Sequence, residues 1–267
     1  MGSNEQEGGV SGKQLAGKVA IVTGASRGIG RAIARRFAAS GSKLVLTARS
    51  LEALRTTLEE VRAMGAGAEG VATPDGDPSA VVSTATSTFG RIDVLINNAG
   101  TTKTGDFISL TDRDWADGYQ VKVFAAVRLA RAAWPELKKS KGSVINLAGA
   151  GGHTPDARFT IGGSVNAAVM AFSKALAQLG IEDGVQVNCI NPGLVRTDRL
   201  IHPIEHAMKS WSLEREAAEA RMRAEYRISR FGEPEEIADF ILYLLSPPGR
   251  IFQGAHIDAD AGFTKGI

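Results

Sequence analysis

The segment from Lys18 to Gly30 constrains the fold more than any other, because it joins an apolar strand to a glycine-rich turn and a helix. Residues 19–22 are all apolar, which is typical of a parallel strand buried on both faces. Gly24, Gly28 and Gly30 permit a tight turn and leave no Cβ where a phosphate approaches the backbone. The following helix would direct its free N–H groups at that phosphate. The segment therefore predicts a dinucleotide-binding strand–turn–helix unit.

Strand and helix patterns alternate along the rest of the chain. Apolar runs predict further strands, and apolar residues at helical spacing, such as Ile29, Ile33 and Phe37, predict the helices between them. This alternation predicts an α/β fold, a single-domain, Rossmann-like, doubly wound parallel sheet of about seven strands with helices on both faces. Ligands of such sheets bind at the carboxyl ends of the strands. The predicted strands are 19–22, 44–46, 71–72, 92–96, 143–147, 185–190 and 255–258.

The same patterns predict the helices and the domain boundaries. One long helix is predicted over about 111–138, another over about 162–179, and a charged helical segment over 196–230. Residues 1–17 are polar and contain glycine, so they are predicted to be a flexible N-terminal tail. Residues 18–267 are predicted to form the single domain.

Composition argues against several functional classes. The net charge is +2 with acidic and basic residues interspersed, which argues against a nucleic-acid partner. No apolar run approaches the roughly 18 residues of a membrane span, so no membrane partner is expected. The single cysteine, Cys189, has apolar neighbours in Val187 and Ile190 and is predicted to be a core thiol. One unpaired cysteine suits a reducing compartment, so a cytoplasmic location is expected.

Four motifs in order carry a family resemblance. They are Thr-Gly-x-x-x-Gly-x-Gly at 23–30, Asn-Asn-Ala-Gly at 97–100, Pro-Gly-x-x-x-Thr at 192–197 and Gly-x-Pro-Glu-Glu at 232–236. Through these motifs the chain resembles the short-chain dehydrogenase/reductase family from Lys18 to Phe263. The resemblance implies a nicotinamide cofactor and a small-molecule substrate.

The resemblance also implies cofactor roles for particular residues. The glycine-rich turn would hold the pyrophosphate, the second motif would lie along the adenosine ribose, and the third would flank the nicotinamide. The implied cofactor-binding residues are Gly24, Ser26, Arg27, Gly28, Ile29, Gly30, Asn98, Ala99, Gly100, Pro192, Gly193 and Thr197.

The end of the second strand bears on the choice between NAD and NADP. NAD-selective relatives place an acidic residue there, whereas this chain has Ala48 followed by Arg49. Arg27, in the glycine-rich turn, lies on the same side, and two guanidinium groups would suit a 2′-phosphate. The alternative is that both are solvated surface arginines. We expect NADP in preference to NAD.

The four positions that carry the family's proton chemistry hold other residues. Relatives use a Tyr, a Lys four residues later, a Ser after the fifth strand and an Asn on the long helix. Alignment of the small residues that follow the family's Lys puts Gly162 at the Tyr position and Asn166 at the Lys position. The Ser position falls on Gly149 and the Asn position on Lys122. Asn166 could still hydrogen-bond a ribose hydroxyl, but it brings no charge.

Three other side chains are candidates for the proton donor. Lys122 is the first, because its position faces the active site in relatives and burial would lower its pKa. Tyr119 lies three residues earlier on the predicted helix and could assist. His153, in the loop after the fifth strand, is a further candidate acid. A solvated helix lysine and an ordinary loop histidine are the alternatives.

Three functional hypotheses remain open on the sequence. The chain could be an NADP-dependent oxidoreductase that uses a reassigned proton donor, and that reduces a carbonyl or an activated C=C bond. It could bind cofactor without catalysis and serve as a regulatory or scaffold protein. It could carry out a non-redox lyase or hydrolase step, although the sequence offers no nucleophile–base pair for one.

The last features concern the substrate lid, metal binding and assembly. Residues 198–230 match the segment where relatives carry a substrate lid. His202 and His206 have metal-pair spacing but no evident third ligand, so no metal site is predicted. The resemblance implies a homodimer or homotetramer, and the predicted helix 162–179 presents a small apolar surface that could face a second copy.

Overall fold

The parallel sheet follows from the apolar runs of the sequence. The computed structural model describes residues 13–74 and 76–266, and within them one sheet holds seven strands. Every pair of neighbouring strands is parallel, and the spatial order is β3-β2-β1-β4-β5-β6-β7. The strands are β1 (Val19–Thr23), β2 (Lys43–Ala48), β3 (Ala68–Ala72), β4 (Val94–Asn97), β5 (Ser143–Leu147), β6 (Gln186–Pro192) and β7 (His256–Ala259).

Helices cover both faces of this sheet, as the doubly wound prediction requires. The helices are α1 (Gly28–Ala39), α2 (Leu51–Ala63), α3 (Ser79–Phe89), α4 (Asp112–Tyr119), α5 (Ala125–Ser140), α6 (Thr160–Asp183), α7 (Asp198–Trp211), α8 (Arg215–Tyr226) and α9 (Pro234–Leu244). Apolar side chains of α1, α2 and α9 pack on one face, and those of α3, α5 and α6 pack on the other. The predicted single-domain, Rossmann-like α/β fold is confirmed.

The order of the strands fixes where a ligand crevice forms. The chain winds outward from β1 through β2 to β3, then returns to place β4 on the other side of β1. Loops that leave β1 and β4 therefore diverge at the carboxyl edge, which is where doubly wound sheets bind ligands. Every residue of β1 is buried, so the turn that follows it starts from a rigid support.

The long helix predicted over 111–138 is interrupted. Thr111 begins α4 through a reciprocal capping interaction with Asp114, but regular α-helix ends at Tyr119. A π-helical turn spans Gln120–Phe124 before α5 begins. A π-turn holds more residues per turn than an α-helix, so a separation of three residues no longer places two side chains on one face. The expectation that Tyr119 and Lys122 share a helix face therefore does not hold.

The packed part of the chain begins before the predicted boundary at Lys18. Residues 14–17 form a turn, and Leu15 is only 3% exposed. The side-chain amide of Gln14 donates to the carbonyl oxygen of Leu242, at 2.7 Å. Part of the predicted tail thus belongs to the domain because Leu15 buries apolar surface, and residues 1–12 lie outside the described residues.

The segment predicted as a charged helix over 196–230 forms the two helices α7 and α8. They enclose an apolar cluster of their own, which includes Leu200, Ile204, Ala207, Ala218 and Met222. This cluster is separate from the two larger clusters that pack on the sheet, so the two helices have an apolar core of their own. Among the described residues, no helix is both long and apolar enough to cross a bilayer.

Candidate active site

The glycine-rich turn between β1 and α1 depends on close backbone approaches. Gly24 has a φ of +64°, a left-handed conformation that favours glycine. A Cβ on Gly30 would lie 2.2 Å from the carbonyl oxygen of Gly24, so only glycine fits there. A Cβ on Gly28 would lie 3.1 Å from Cγ2 of Thr197, which brings the third motif against the first. The sequence motifs at 23–30 and 192–197 therefore meet in space.

Asn98 ties the end of β4 to this turn. Its side-chain amide donates to the carbonyl oxygens of Thr23, at 2.9 Å, and Gly24, at 3.2 Å. The Thr23 hydroxyl in turn accepts from the backbone N–H groups of Asn98 and Ala99, both at 2.9 Å. These bonds hold the ends of β1 and β4 together, so the backbone at the base of the crevice is fixed in position.

The N-terminus of α1 is open toward an anion. The helix has no side-chain cap and no acidic residue in its first turn, so its first N–H groups lack side-chain partners. Ser26 and Ile29 lie partly exposed on the same turn. A phosphate placed there would meet free N–H donors and the positive end of the helix dipole.

The two arginines predicted to select NADP have different surroundings. The guanidinium of Arg27 forms an exposed ion pair with Asp198, the first residue of α7, at 3.3 Å. Arg49, just after β2, is exposed and forms no ion pair with the residues described here. The positive charge of Arg27 is therefore partly offset by Asp198, whereas that of Arg49 remains available to a ligand.

Lys122 lies at the ends of β4 and β5. Its ammonium donates to the carbonyl oxygen of Ala148, just after β5, at 2.7 Å. Its aliphatic chain packs over Gly100, where a Cβ would lie 2.9 Å from Cδ of Lys122. Burial of the ammonium, with a smaller effect from the nearby charge of Arg199, lowers the pKa of Lys122 to about 8. The residue is thus a cation enclosed by the crevice and not a solvated helix lysine.

Gly149 and Asn166, at the Ser and Lys positions of the resemblance, lie against each other. A Cβ on Gly149 would be 2.9 Å from Nδ2 of Asn166. Asn166 is 4% exposed, and its Oδ1 is buried without a hydrogen-bond partner among the described residues. A buried acceptor without a donor costs stability, so this atom is suited to a ligand hydroxyl.

Phe159 was not anticipated from the sequence, and its ring covers Gly162. A Cβ on Gly162 would lie 2.0 Å from Cζ of Phe159. Phe159 immediately precedes α6, and its ring folds back over the first turn of that helix. The spacing of three residues between the aromatic ring and Gly162 is the only sequence signal for this contact. The space beside Gly162 is therefore filled by an apolar ring.

Among the described residues, neither His153 nor Tyr119 forms a hydrogen bond with the side chain of Lys122. Nδ1 of His153 lies 3.1 Å from Oδ1 of Asp258 on β7, and that carboxylate also accepts from the Asn191 amide at 2.8 Å. This places His153 at the β7 edge of the sheet, whereas Lys122 lies beside β4 and β5. The Tyr119 hydroxyl has no hydrogen bond to any described residue.

Cys189, on β6, is a core thiol, as predicted. It is fully buried, and burial raises the pKa of its thiol to about 11. Gly193 follows β6 where a Cβ would meet Asp260, 2.7 Å away, and Pro192 ends that strand. Within residues 13–74 and 76–266, no group of three or more His, Cys, Asp or Glu side chains could hold a metal ion.

Comparison with known proteins gives consistent matches over most of the chain. The family model described as short chain dehydrogenase matches residues 18–206. The 3-oxoacyl-acyl-carrier-protein reductase FabG of Vibrio cholerae is 31% identical over 93% of this chain and 98% of its own.

Two solved structures share the whole architecture. L-sorbose reductase from Gluconobacter frateurii, in complex with NADPH and L-sorbose, has a TM-score of 0.89 and 34% identity, covering 96% of this chain and 99% of its own. A variant of actinorhodin polyketide ketoreductase with NADPH has a TM-score of 0.86 and 30% identity, covering 96% of this chain and 100% of its own.

Proposed function

The chain belongs to the short-chain dehydrogenase family, and we propose that it is an NADPH-dependent reductase in which Lys122 donates the proton. The observation that carries this proposal is the enclosed ammonium of Lys122, bonded to the Ala148 carbonyl at 2.7 Å beside the cofactor motifs. Its substrate is a small molecule with a carbonyl or an activated C=C bond.

The residues present fit a nicotinamide dinucleotide. The uncapped N-terminus of α1 suits the pyrophosphate, and the turn before it can be formed only with glycine at position 30. The buried Oδ1 of Asn166 can accept a hydrogen bond from a ribose hydroxyl. Pro192, Gly193 and Thr197 would border the nicotinamide, and Asn98, Ala99 and Gly100 the adenosine side.

NADP is the proposed form of the cofactor. Arg49 follows β2 without a described ion-pair partner, and no acidic residue takes the place of Ala48. L-sorbose reductase and actinorhodin ketoreductase, both similar to this chain, are NADPH complexes. Arg49 and Arg27 would bind the 2′-phosphate through charge-assisted hydrogen bonds. To bind the 2′-phosphate, Arg27 would have to break its ion pair with Asp198 or bond to both groups at once.

The proposed active site is non-standard in its proton donor. Gly149, Gly162 and Asn166 occupy the positions of the family's Ser, Tyr and Lys, and none supplies an ionisable side chain. The ring of Phe159 fills the space next to Gly162, so a proton donor from that side is not expected. Lys122, at the family's Asn position, is an ionisable group that contacts both Gly100 and Ala148 at the strand ends.

The chemistry that Lys122 can perform follows from its environment. The cofactor, when bound, would supply the hydride. Lys122 would give its proton to the substrate oxygen, or to the α-carbon of an activated alkene, and would regain one from water. An ammonium with a pKa of about 8 is largely protonated at neutral pH, yet it releases a proton far more readily than a lysine in water. The Ala148 carbonyl holds the donor in place.

The test is cofactor binding followed by a substrate screen. NADPH should bind at micromolar concentration, and NADPH oxidation should be followed with ketones, enones, enoyl thioesters and quinones. Turnover that disappears in a Lys122→Met variant with intact NADPH binding supports the proposal. Turnover that survives this substitution removes Lys122 as the donor. NADPH binding without turnover on any substrate favours the alternative of a catalytically silent regulatory or scaffold protein.

The lid and the assembly belong to the same proposal. Helices α7 and α8 would cover the substrate, because α7 starts at the Asp198 pair with the glycine-rich turn. A homodimer or homotetramer is proposed because Val121 and Phe124, on the helical arm of α4 and α5, are large exposed apolar side chains. Light scattering coupled to gel filtration would measure the mass, and a monomer would contradict this part.

A further inference from the structure

Two cationic side chains converge on Gly100 from different elements. The guanidinium of Arg199, in the first turn of α7, donates to the Gly100 carbonyl oxygen. The aliphatic chain of Lys122 packs on the same glycine, and its ammonium reaches the Ala148 carbonyl at 2.7 Å. The two positive charges are close enough to lower the pKa of Lys122. They therefore form a cationic pair over the ends of β4 and β5.

No carboxylate of the described chain neutralises this pair. Neither Lys122 nor Arg199 forms an ion pair with a described residue, and the adjacent carboxylate, Asp198, is turned toward Arg27. Burial lowers the pKa of Arg199, and the charge of Arg27 lowers it further. The Lys122 ammonium is the more desolvated of the two cations, whereas Arg199 keeps exposed surface. An isolated buried charge is costly, so an anionic ligand would stabilise Lys122, and Arg199 could bind the same anion from the solvent side.

The position of Lys122, and not that of Arg199, separates a substrate anion from the cofactor's phosphates, because Arg199 lies near Arg27 of the glycine-rich turn. The helix end that suits a pyrophosphate lies at Gly28, on the β1 side of the crevice. Lys122 instead contacts Ala148 beyond β5, two strands away from β1. This is the side on which the proposed proton transfer takes place, so the anion is assigned to the substrate.

We propose that the substrate of this reductase carries a free carboxylate, held between Lys122 and Arg199 beside the group that is reduced; this inference rests on the proposed function. The ammonium has three N–H donors, of which the Ala148 carbonyl uses one. The other two can reach one carboxylate oxygen and the adjacent carbonyl oxygen of a 2-oxo acid. The planar guanidinium of Arg199 can bind the carboxylate with two parallel hydrogen bonds. Arg199 keeps exposed surface, so a ligand can reach it.

The test measures binding without turnover. Benzoylformate and pyruvate, each paired with its neutral methyl ester, are titrated by calorimetry into the complex of the protein with NADP⁺. The oxidised cofactor has no hydride to transfer to a ketone, so the measurement is independent of reductase activity. The wild-type complex should bind the acids about tenfold or more tightly than the esters.

Variants assign this preference to the cationic pair. Arg199→Gln should abolish the preference for the acid and leave ester binding unchanged. Lys122→Met should also abolish the preference, and it should weaken ester binding as well, because the ammonium is proposed to bond the ketone oxygen that acid and ester share. Arg199→Lys keeps the positive charge but loses the planar guanidinium, so it should retain part of the preference for the acid. It replaces Arg199→Gln in the experiment if that variant does not fold. Arg113→Gln, on an arginine whose side chain is 90% exposed on α4, is the control and should behave as wild type.

Two results would overturn the inference. Equal binding of acids and esters to the wild-type complex would remove the carboxylate site. Loss of NADPH affinity in Arg199→Gln as large as the loss of acid affinity would assign the cation to a cofactor phosphate. Binding of the acids without turnover of any substrate would support the carboxylate site and contradict the proposed reductase activity. Turnover of neutral substrates without a preference for acids would support the reductase activity and contradict the carboxylate site.

Discussion

The ammonium of Lys122 donates a hydrogen bond to the carbonyl oxygen of Ala148 at 2.7 Å. This bond joins the π-helical turn between α4 and α5 to the end of β5, and holds the ammonium over the crevice. A carbonyl can stabilise the position of an ammonium without neutralising its charge. The bond therefore positions Lys122, whereas burial of the ammonium lowers its pKa, and the first two predictions depend on these two features.

Replacement of Lys122 by Met should lower kcat for NADPH-dependent reduction by about 10²–10⁴-fold, because the positioned proton donor is lost. The Kd of NADPH should change little, since the methionine side chain can keep the apolar packing of Lys122 on Gly100. Steady-state kinetics and fluorescence titration measure the two quantities. Lys139→Met, at an exposed lysine near the end of α5, is the matched control and should keep wild-type kcat.

The pH profile should report the pKa of Lys122. Burial lowers that pKa to about 8, so the protonated donor predominates below pH 8 and is lost above it. The reduction rate should be level from pH 6 to 7 and fall about tenfold per pH unit well above pH 8. Initial rates at saturating NADPH measure this limb. A rate that stays constant to pH 10 would be incompatible with Lys122 as the acid.

Arg49→Ala should weaken NADPH about tenfold or more and leave NADH nearly unchanged, because the exposed guanidinium would bind only the 2′-phosphate. Arg27→Ala should have a smaller effect, since Asp198 already offsets part of the Arg27 charge. Calorimetric titration with NADPH and with NADH gives, for each variant, the ratio of its Kd to the wild-type Kd. Arg55→Ala, on the exposed side of α2, controls for general charge loss. Equal weakening of NADH and NADPH in Arg49→Ala would refute the assignment.

Gly162→Tyr alone should destabilise the fold by about 1–3 kcal/mol, because its side chain would overlap the Phe159 ring. Phe159→Ala in the same chain should recover most of that loss, which a double-mutant cycle of urea midpoints would quantify. The single variant should gain no activity, since its hydroxyl cannot take the place that the ring occupies. A single variant as stable as wild type would show that the ring moves aside at no cost.

Gly30→Ala should lower the free energy of unfolding by about 1–3 kcal/mol and reduce NADPH affinity. The added Cβ would lie 2.2 Å from the Gly24 carbonyl oxygen, so the turn that supports α1 must shift. Gly67→Ala is the control, since its Cβ would make an ordinary 3.4 Å contact with Phe89 and its φ is not left-handed. Urea unfolding compares the two variants, and similar midpoints would contradict the packing argument.

The strand, glycine-rich turn and helix at 19–39 could be predicted largely from the sequence, because their determinants are local. The glycine spacing at 24–30 and the apolar run at 19–22 both lie within one strand–turn–helix unit. The backbone of that unit needs glycine at position 30 whatever surrounds it. The long helix was less predictable, since a π-turn is not marked by glycine or proline, and its insertion changed the neighbours of Lys122.

The sequence by itself determined the alternation of strands and helices, the glycine turn and the absence of ionisable residues at 149, 162 and 166, since these depend on residue identity and near neighbours. Only the tertiary structure decided that Phe159 covers Gly162, that His153 pairs with Asp258, and that Lys122 and Arg199 meet over Gly100. Those contacts join residues from separate elements, and they form because the parallel sheet brings the ends of its strands to one edge. Burial at that edge lowers the pKa of Lys122, and the degree of burial depends on the folded chain and cannot be derived from the residue type.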